Sequence, residues 1–130
     1  MKLSLRSEHA LLSLIYLARQ RRRAAIPLDT MAAVQEISAG VLKEILDVLA
    51  MARYVESSDS GYRLVQRAER ISVAEVIRLF DGALAPHEPI SEKGYAAAPM
   101  DSEPKLSDLF TRIQDDVSAR LERTSIADIA

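Results

Sequence analysis

The stretch DTMAAVQEISAGVLKEILDVLAMARYVESSDSGYRLVQ, residues 29–66, decides the fold. Residues 29–34 read as a short helix with Asp29 in its first turn, where the helix dipole favours a carboxylate. Gln35, Glu36 and Ile37 make a tight connection. Ser38 is a good N-cap, because its hydroxyl can accept an orphan backbone N–H, and the helix it opens runs to about residue 52. Val41, Leu42, Ile45, Leu46, Leu49 and Met51 are its apolar positions at helical spacing. A short and a longer helix joined in this way have the layout of a helix-turn-helix. Residues 53–57 and 61–66 then alternate as two short strands, with turn chemistry in Ser58, Asp59, Ser60 and Gly61. A hairpin directly after the second helix is a wing.

Upstream, Leu11, Leu12, Leu14, Ile15, Leu17 and Ala18 predict a helix over residues 8–23, capped by Ser4 or Ser7 and buried on more than one side. Its end, with Arg19, Arg21, Arg22 and Arg23, would complement the helix dipole. Ile26-Pro27-Leu28 breaks the pattern. Downstream, Ser72 and Glu75 form a capping-box pattern ahead of Val73, Val76, Ile77, Leu79 and Phe80, and Gly82 suits a left-handed stop. Residues 83–104 hold four of the five prolines and three consecutive alanines, which predicts a mobile connector. Pro104 can start a helix whose narrow stripe is Leu106, Leu109, Phe110, Ile113, Val117 and Leu121. The opposite face is polar, so the stripe needs a partner. A second copy of the chain gives a coiled-coil-like dimer seam, and folding back on its own domain is the competing arrangement. Ser125 and Asp128 can cap a last turn carrying Ile126 and Ile129. The expected fold is mainly α: a winged helix-turn-helix domain over residues 1–82 with a two-stranded β wing, a connector over 83–104, and a long C-terminal dimerisation helix with its tail over 105–130.

A chain of 130 residues with 48% apolar and 28% charged residues suits one domain plus an oligomerisation arm. The net charge of -2 conceals a division: residues 1–70 hold 11 Lys and Arg against 8 Asp and Glu, whereas residues 71–130 hold 6 against 11. Only the first half suits a polyanion. The absence of cysteine removes disulfides, thiolate-bound zinc, iron–sulphur ligation and cysteine nucleophiles. His9 and His87 are too far apart in sequence for a His-rich metal site, and His9 reads as a capping or packing residue. No apolar run is long enough to span a membrane and the N-terminus lacks a signal-peptide layout, so the expected compartment is the cytoplasm. There is no phosphate-binding glycine loop and no paired nucleophile and base; Asp115 and Asp116 diverge by about 100° on a helix. The reading is a non-enzyme with no cofactor and no metal. Its informative surface is the start of the second helix of the helix-turn-helix, where Ser38, Ala39, Gly40, Lys43 and Glu44 would face base edges. Lys43 can donate to guanine or phosphate, and Glu44 can accept from cytosine.

The opening MKLSLRSEHALLSLIYLA, the block ISAGVLKEILDVLAMARYVES, GYRL followed by ISVAEVIRLFDG, and the closing LERTSIADI together resemble the Rrf-two family of bacterial winged-helix transcription regulators. The resemblance runs in order along the chain, leaving residues 86–104 unmatched. It implies a homodimer through the C-terminal helix, an inverted-repeat operator in double-stranded DNA, and a major-groove helix beginning at Ser38 and including Val41. It further implies phosphate contacts from Lys2 and Arg6, and a wing with Ser60, Tyr62 and Arg63 near the minor groove. The signal would be a small-molecule effector or a partner protein, and the sequence favours neither. Three departures matter. Cluster-binding members place cysteines in the segment that here is 86–104, where this chain has none, and Ser107 stands where some members have a histidine, which implies a cluster-free regulator. The family wing, of the type R-G-x-G-G-G-Y, is shortened here to Ser58-Asp59-Ser60-Gly61-Tyr62, with an acid and no arginine at the tip. The glycine common in the family's turn is replaced around Glu36, so the turn must either adjust or tolerate a strain of about 1 kcal/mol. The acidic balance and the shortened wing motivate the competing class, a protein-interaction module that has lost specific DNA binding.

Overall fold

In the computed structural model, residues 2–82 and 99–130 are described. Residues 83–98, most of the expected connector together with His87, lie outside the described residues. The order is α1 (Leu5–Ala18), α2 (Leu28–Gln35), α3 (Ala39–Met51), β1 (Val55–Ser58), β2 (Gly61–Leu64), α4 (Val73–Asp81), α5 (Pro104–Arg123) and α6 (Ile126–Ile129), with short 3-10 turns at Arg21–Arg23, Ala68–Arg70 and Pro99–Ser102. The strands pair antiparallel, Val55 opposite Leu64 and Ser58 opposite Gly61. Among the described residues, no helix is long and apolar enough to cross a membrane.

A single main core joins α1 (Ala10, Leu14, Leu17), α2 (Met31, Ala32), α3 (Leu42, Ile45, Leu46, Leu49) and the inner face of the wing (Val55, Tyr62, Leu64). The chain's last turn closes it. Ile126 is fully buried, its N–H donates to the Ile71 carbonyl (2.8 Å), and the Val73 N–H donates to the Thr124 carbonyl (2.8 Å). The expected Ser125/Asp128 cap forms as a full capping box. A second cluster of Val73, Ala74 and Ile77 receives Leu3, Leu11 and Leu121. The α5 stripe is therefore divided: Leu121 packs on its own domain, whereas Leu106, Leu109 and Ile113 are exposed and α5 buries no residue.

The helix expected through residue 23 stops at Ala18. Arg22 (φ 61°) and Arg23 (φ 49°) take left-handed backbone, which turns the chain so that Ile26 can exchange hydrogen bonds with Tyr62 (2.7 and 2.9 Å). Arg23 donates to the Val65 carbonyl (3.2 Å), so the basic run flanks the wing's base and does not extend α1. The strands are shorter than expected, because Arg53 is left-handed (φ 65°) and the Val65 and Gln66 N–H groups turn back to the Tyr54 carbonyl. Only half of the Ser72/Glu75 capping box forms: Ser72 accepts the Glu75 N–H (3.1 Å), but the Glu75 carboxylate takes the Tyr54 hydroxyl (3.0 Å). Burial, then the adjacent Glu75, pushes the Tyr54 phenol up to about 12. The turn after α2 keeps its left-handed residue, Glu36 (φ 54°, ψ 43°), and tolerates the strain without glycine.

Asp81 ties the end of α4 to the start of α1. Its Oδ2 accepts from the Ser4 N–H (3.1 Å) and the Ser7 hydroxyl (2.8 Å), at the start of α1. Burial opposes ionisation, but these donors and the nearby Arg6 charge outweigh it and hold the carboxyl below its ordinary value. A lowered folded pKa means that the stabilisation is present at neutral pH and is lost as the pH falls below about 4. Asp81→Ala is expected to cost about 1 kcal/mol near pH 7, a modest figure because the site is solvent-screened. Thermal unfolding across pH 7 to 2 checks this: the gap between variant and parent should close in acid.

Candidate nucleic-acid interface

Helical periodicity sets what α3 shows to solvent. Burying Leu42, Ile45, Leu46 and Leu49 leaves Gly40, Val41, Lys43 and Glu44 on the exposed face. Ser38 caps the helix, its hydroxyl accepting the Val41 N–H (3.3 Å), while Ala39 leans onto the core. Val41 is 46% exposed, an apolar group suited to a thymine methyl. Of α3, Lys43 and Asp47 meet the wing at an open groove of about 550 Å³, lined also by Ser60, Tyr62, Pro27 and Leu28 among others.

The structure brings Lys43 and the wing tip together and distributes the other expected residues differently. Tyr62, expected at the DNA surface, is only 6% exposed and its hydroxyl donates to Asp47 (3.0 Å). It is a core residue because the wing's inner face must cover α3 and α1. Burial, then Asp47, raises its pKa. Arg63 pairs with Glu56, its cross-strand neighbour. Lys43 pairs with Asp47 (2.7 Å), which raises the lysine's pKa. The hydrogen bond from Lys43 lowers that of Asp47 and outweighs the opposing effect of burial. Ser60 is exposed at the tip, where its N–H donates to the Ser58 hydroxyl (3.3 Å). Lys2 and Arg6 are exposed at the start of α1 and do not line the groove; the Arg6 guanidinium lies 5.3 Å from the Phe80 ring centroid. Arg53 is exposed between α3 and β1.

Three groove residues, Asp47, Pro27 and Leu28, were not singled out by the sequence as functional. Asp47 stands four residues after Lys43, a spacing that pairs charges on a helix and was the available signal. Pro27 and Leu28 join the groove only through the Ile26–Tyr62 pairing, for which the sequence carries no signal. His9 is a packing residue: its Nδ1 lies 2.8 Å from the Gln35 side-chain oxygen, and Gln35 donates to Ser13 (2.8 Å), linking α2 to α1.

A helix-turn-helix followed by a two-stranded wing, with the second helix exposed beside it, defines a winged helix-turn-helix protein. Residues 3–130 match the Rrf2 family, described as an iron-dependent transcriptional regulator, and the chain belongs to that family. It is 30% identical over its whole length to Rv1287 of Mycobacterium tuberculosis, whose name describes an HTH-type transcriptional regulator, covering 81% of that protein. It is 27% identical to the HTH-type transcriptional regulator CymR of Bacillus subtilis, covering 90% of it. The solved structure of B. subtilis CymR, the global cysteine regulator, superposes with a TM-score of 0.82 at 26% identity, covering 100% of this chain and 96% of that one. An IscR structure from T. potens, with a TM-score of 0.72 at 20% identity over 99% of this chain and 85% of that one, shows the shared fold. These relatives are regulators and not enzymes.

The family description speaks of iron. This chain has no cysteine, and among the described residues no group of three or more His, Cys, Asp or Glu could hold a metal ion. Ser107 offers a hydroxyl whose partner is the Asp101 carboxylate (3.5 Å). The donor set does not fit a thiolate-held cluster.

Proposed function

We propose that this chain is a cytoplasmic, homodimeric, DNA-binding transcription regulator that works without an iron–sulphur cluster. The carrying observation is the exposed start of α3, with Val41, Lys43 and Glu44 on its outer face and Lys43 across one groove from the wing tip. In this reading α3 enters the major groove, Lys2 and Arg6 meet phosphates, and Ser60 approaches from the wing. Tyr62 and Arg63 act indirectly, Tyr62 by anchoring Asp47 and Arg63 by stiffening the hairpin through Glu56. The two-fold dimer reads an inverted repeat with half-sites about one or two helical turns apart. A small molecule or a partner protein supplies the signal.

Selection of sites from random duplex DNA, at low and then physiological salt, tests the reading. A palindrome should be enriched, and Lys43→Ala should weaken binding to it by about tenfold. The second reading, a protein-interaction module without specific DNA binding, is favoured by the pairing of Lys43 and Arg63 with acids and by Asp59 at the wing tip. Salt-labile binding with no enriched sequence is the result that would select it.

A further inference from the structure

Lys43, the cation on the outward face of α3, is not a free surface charge. Its ammonium donates to Asp47 Oδ2 at 2.7 Å, and Asp47 Oδ1 accepts the Tyr62 hydroxyl at 3.0 Å. An exposed ion pair one helical turn apart ordinarily exchanges freely and holds neither side chain in place. Here the acid is pinned from behind. The Tyr62 ring is buried, and its backbone exchanges both hydrogen bonds with Ile26. Asp47 thus has its orientation set by the core. Two consequences follow for Lys43. Its charge is balanced locally, which weakens its pull on phosphates. Its ammonium is drawn toward the next turn of α3, where one of its three hydrogens is used and two are left to donate, and the side chain lines the groove between α3 and the wing.

We propose that Asp47 is a positioning residue for sequence recognition: held by Tyr62, it makes Lys43 a fixed hydrogen-bond donor to a base edge and keeps it from serving as a mobile phosphate-binding charge. This rests on the DNA-binding reading above. The wing then contributes to specificity from within the protein, through Tyr62, even with a short acidic tip.

The test compares binding to the selected palindrome and to random-sequence duplex across a salt series, for the full chain and for Asp47→Asn. Asparagine keeps an oxygen for the Tyr62 hydroxyl, so the fold should be retained. Asp47→Asn should bind random duplex about fivefold more tightly near 100 mM salt, with a log–log salt slope steeper by about one unit. Its preference for the palindrome should fall about tenfold. In a Lys43→Gln background, Asp47→Asn should leave the slope and the preference unchanged, because the effect runs through the lysine. Unchanged slope and preference in the single variant would overturn the proposal. So would an effect of equal size in the Lys43→Gln background, which would be bulk charge alone. If the parent chain enriches no sequence at all, the DNA-binding reading itself fails and this proposal with it; the two failures are therefore distinguishable.

Discussion

Gly61→Ala is expected to lose about 3 kcal/mol of stability, through backbone strain and a clash with the Ile26–Pro27 backbone that neither segment can relieve. Gly61 has φ +121°, and a Cβ there would lie 2.1 Å from the Ile26 carbonyl oxygen and 2.7 Å from the Pro27 nitrogen. Both near atoms are backbone. Ile26 is tied to Tyr62 by hydrogen bonds of 2.7 and 2.9 Å, and Pro27 has a fixed φ, so neither can withdraw without opening the wing's attachment. Opening it would also uncover Tyr62, which carries Asp47. Urea unfolding of parent and variant measures the loss. A cost below about 1 kcal/mol would mean that Ile26 and the wing separate easily, against the close packing of these two segments. By contrast Gly40, on the exposed start of α3, has nothing within 4 Å of the position a Cβ would take, so Gly40→Ala should leave stability intact or raise it slightly.

If the proposed dimer forms through α5, Leu109→Asp with Ile113→Asp is expected to leave only monomers. These residues are 51% and 41% exposed in the single chain and, with Leu106, continue one stripe along a helix that has no fully buried residue. Placing two carboxylates on each side of a two-fold seam sets four like charges against one another in a desolvated contact. The fold of each chain should survive, since Leu121 and Ile126 anchor the end of α5 and the tail independently of that stretch. Sedimentation equilibrium reads the mass, and circular dichroism reads the fold. Because the two recognition helices would no longer be linked, affinity for a full palindrome should fall by about 100-fold or more, while half-site binding changes little. A dimer that survives both aspartates would place the seam elsewhere.

The start of α3 was legible because a single rule, apolar residues inward at helical spacing, decides which side chains remain outside. Lys43 and Glu44 follow from Leu42, Ile45 and Leu46, whereas Val41 and Met51, counted with the apolar positions, are 46% and 85% exposed. The same rule applied to the wing was insufficient. Alternation marks two strand faces, but only packing against α1 and α3 decides that Val55, Tyr62 and Leu64 turn inward. Tyr62 therefore belongs to the core and not to the expected DNA surface. Arg63 and Lys43 were readable as cations, yet their ion partners depend on the strand register and on a pinned aspartate.

From the sequence alone came the element order, the helix caps at Ser38, Ser72 and Ser125, the wing, and the apolar stripe on α5, because each rests on contacts between residues close in the chain; the first cap, open between Ser4 and Ser7, is Ser4. Tertiary structure decided that the turns after α2 and α3 keep left-handed backbone at Glu36 and Arg53 without glycine. It decided the path of the arginine run, which turns so that Ile26 can meet Tyr62. It also decided that Asp81 and Ile126 fasten opposite ends of the chain to the core. Local propensity opposes or ignores each of these arrangements. They hold because distant hydrogen bonds and burial offset strains of about 1 kcal/mol that short-range patterns cannot anticipate.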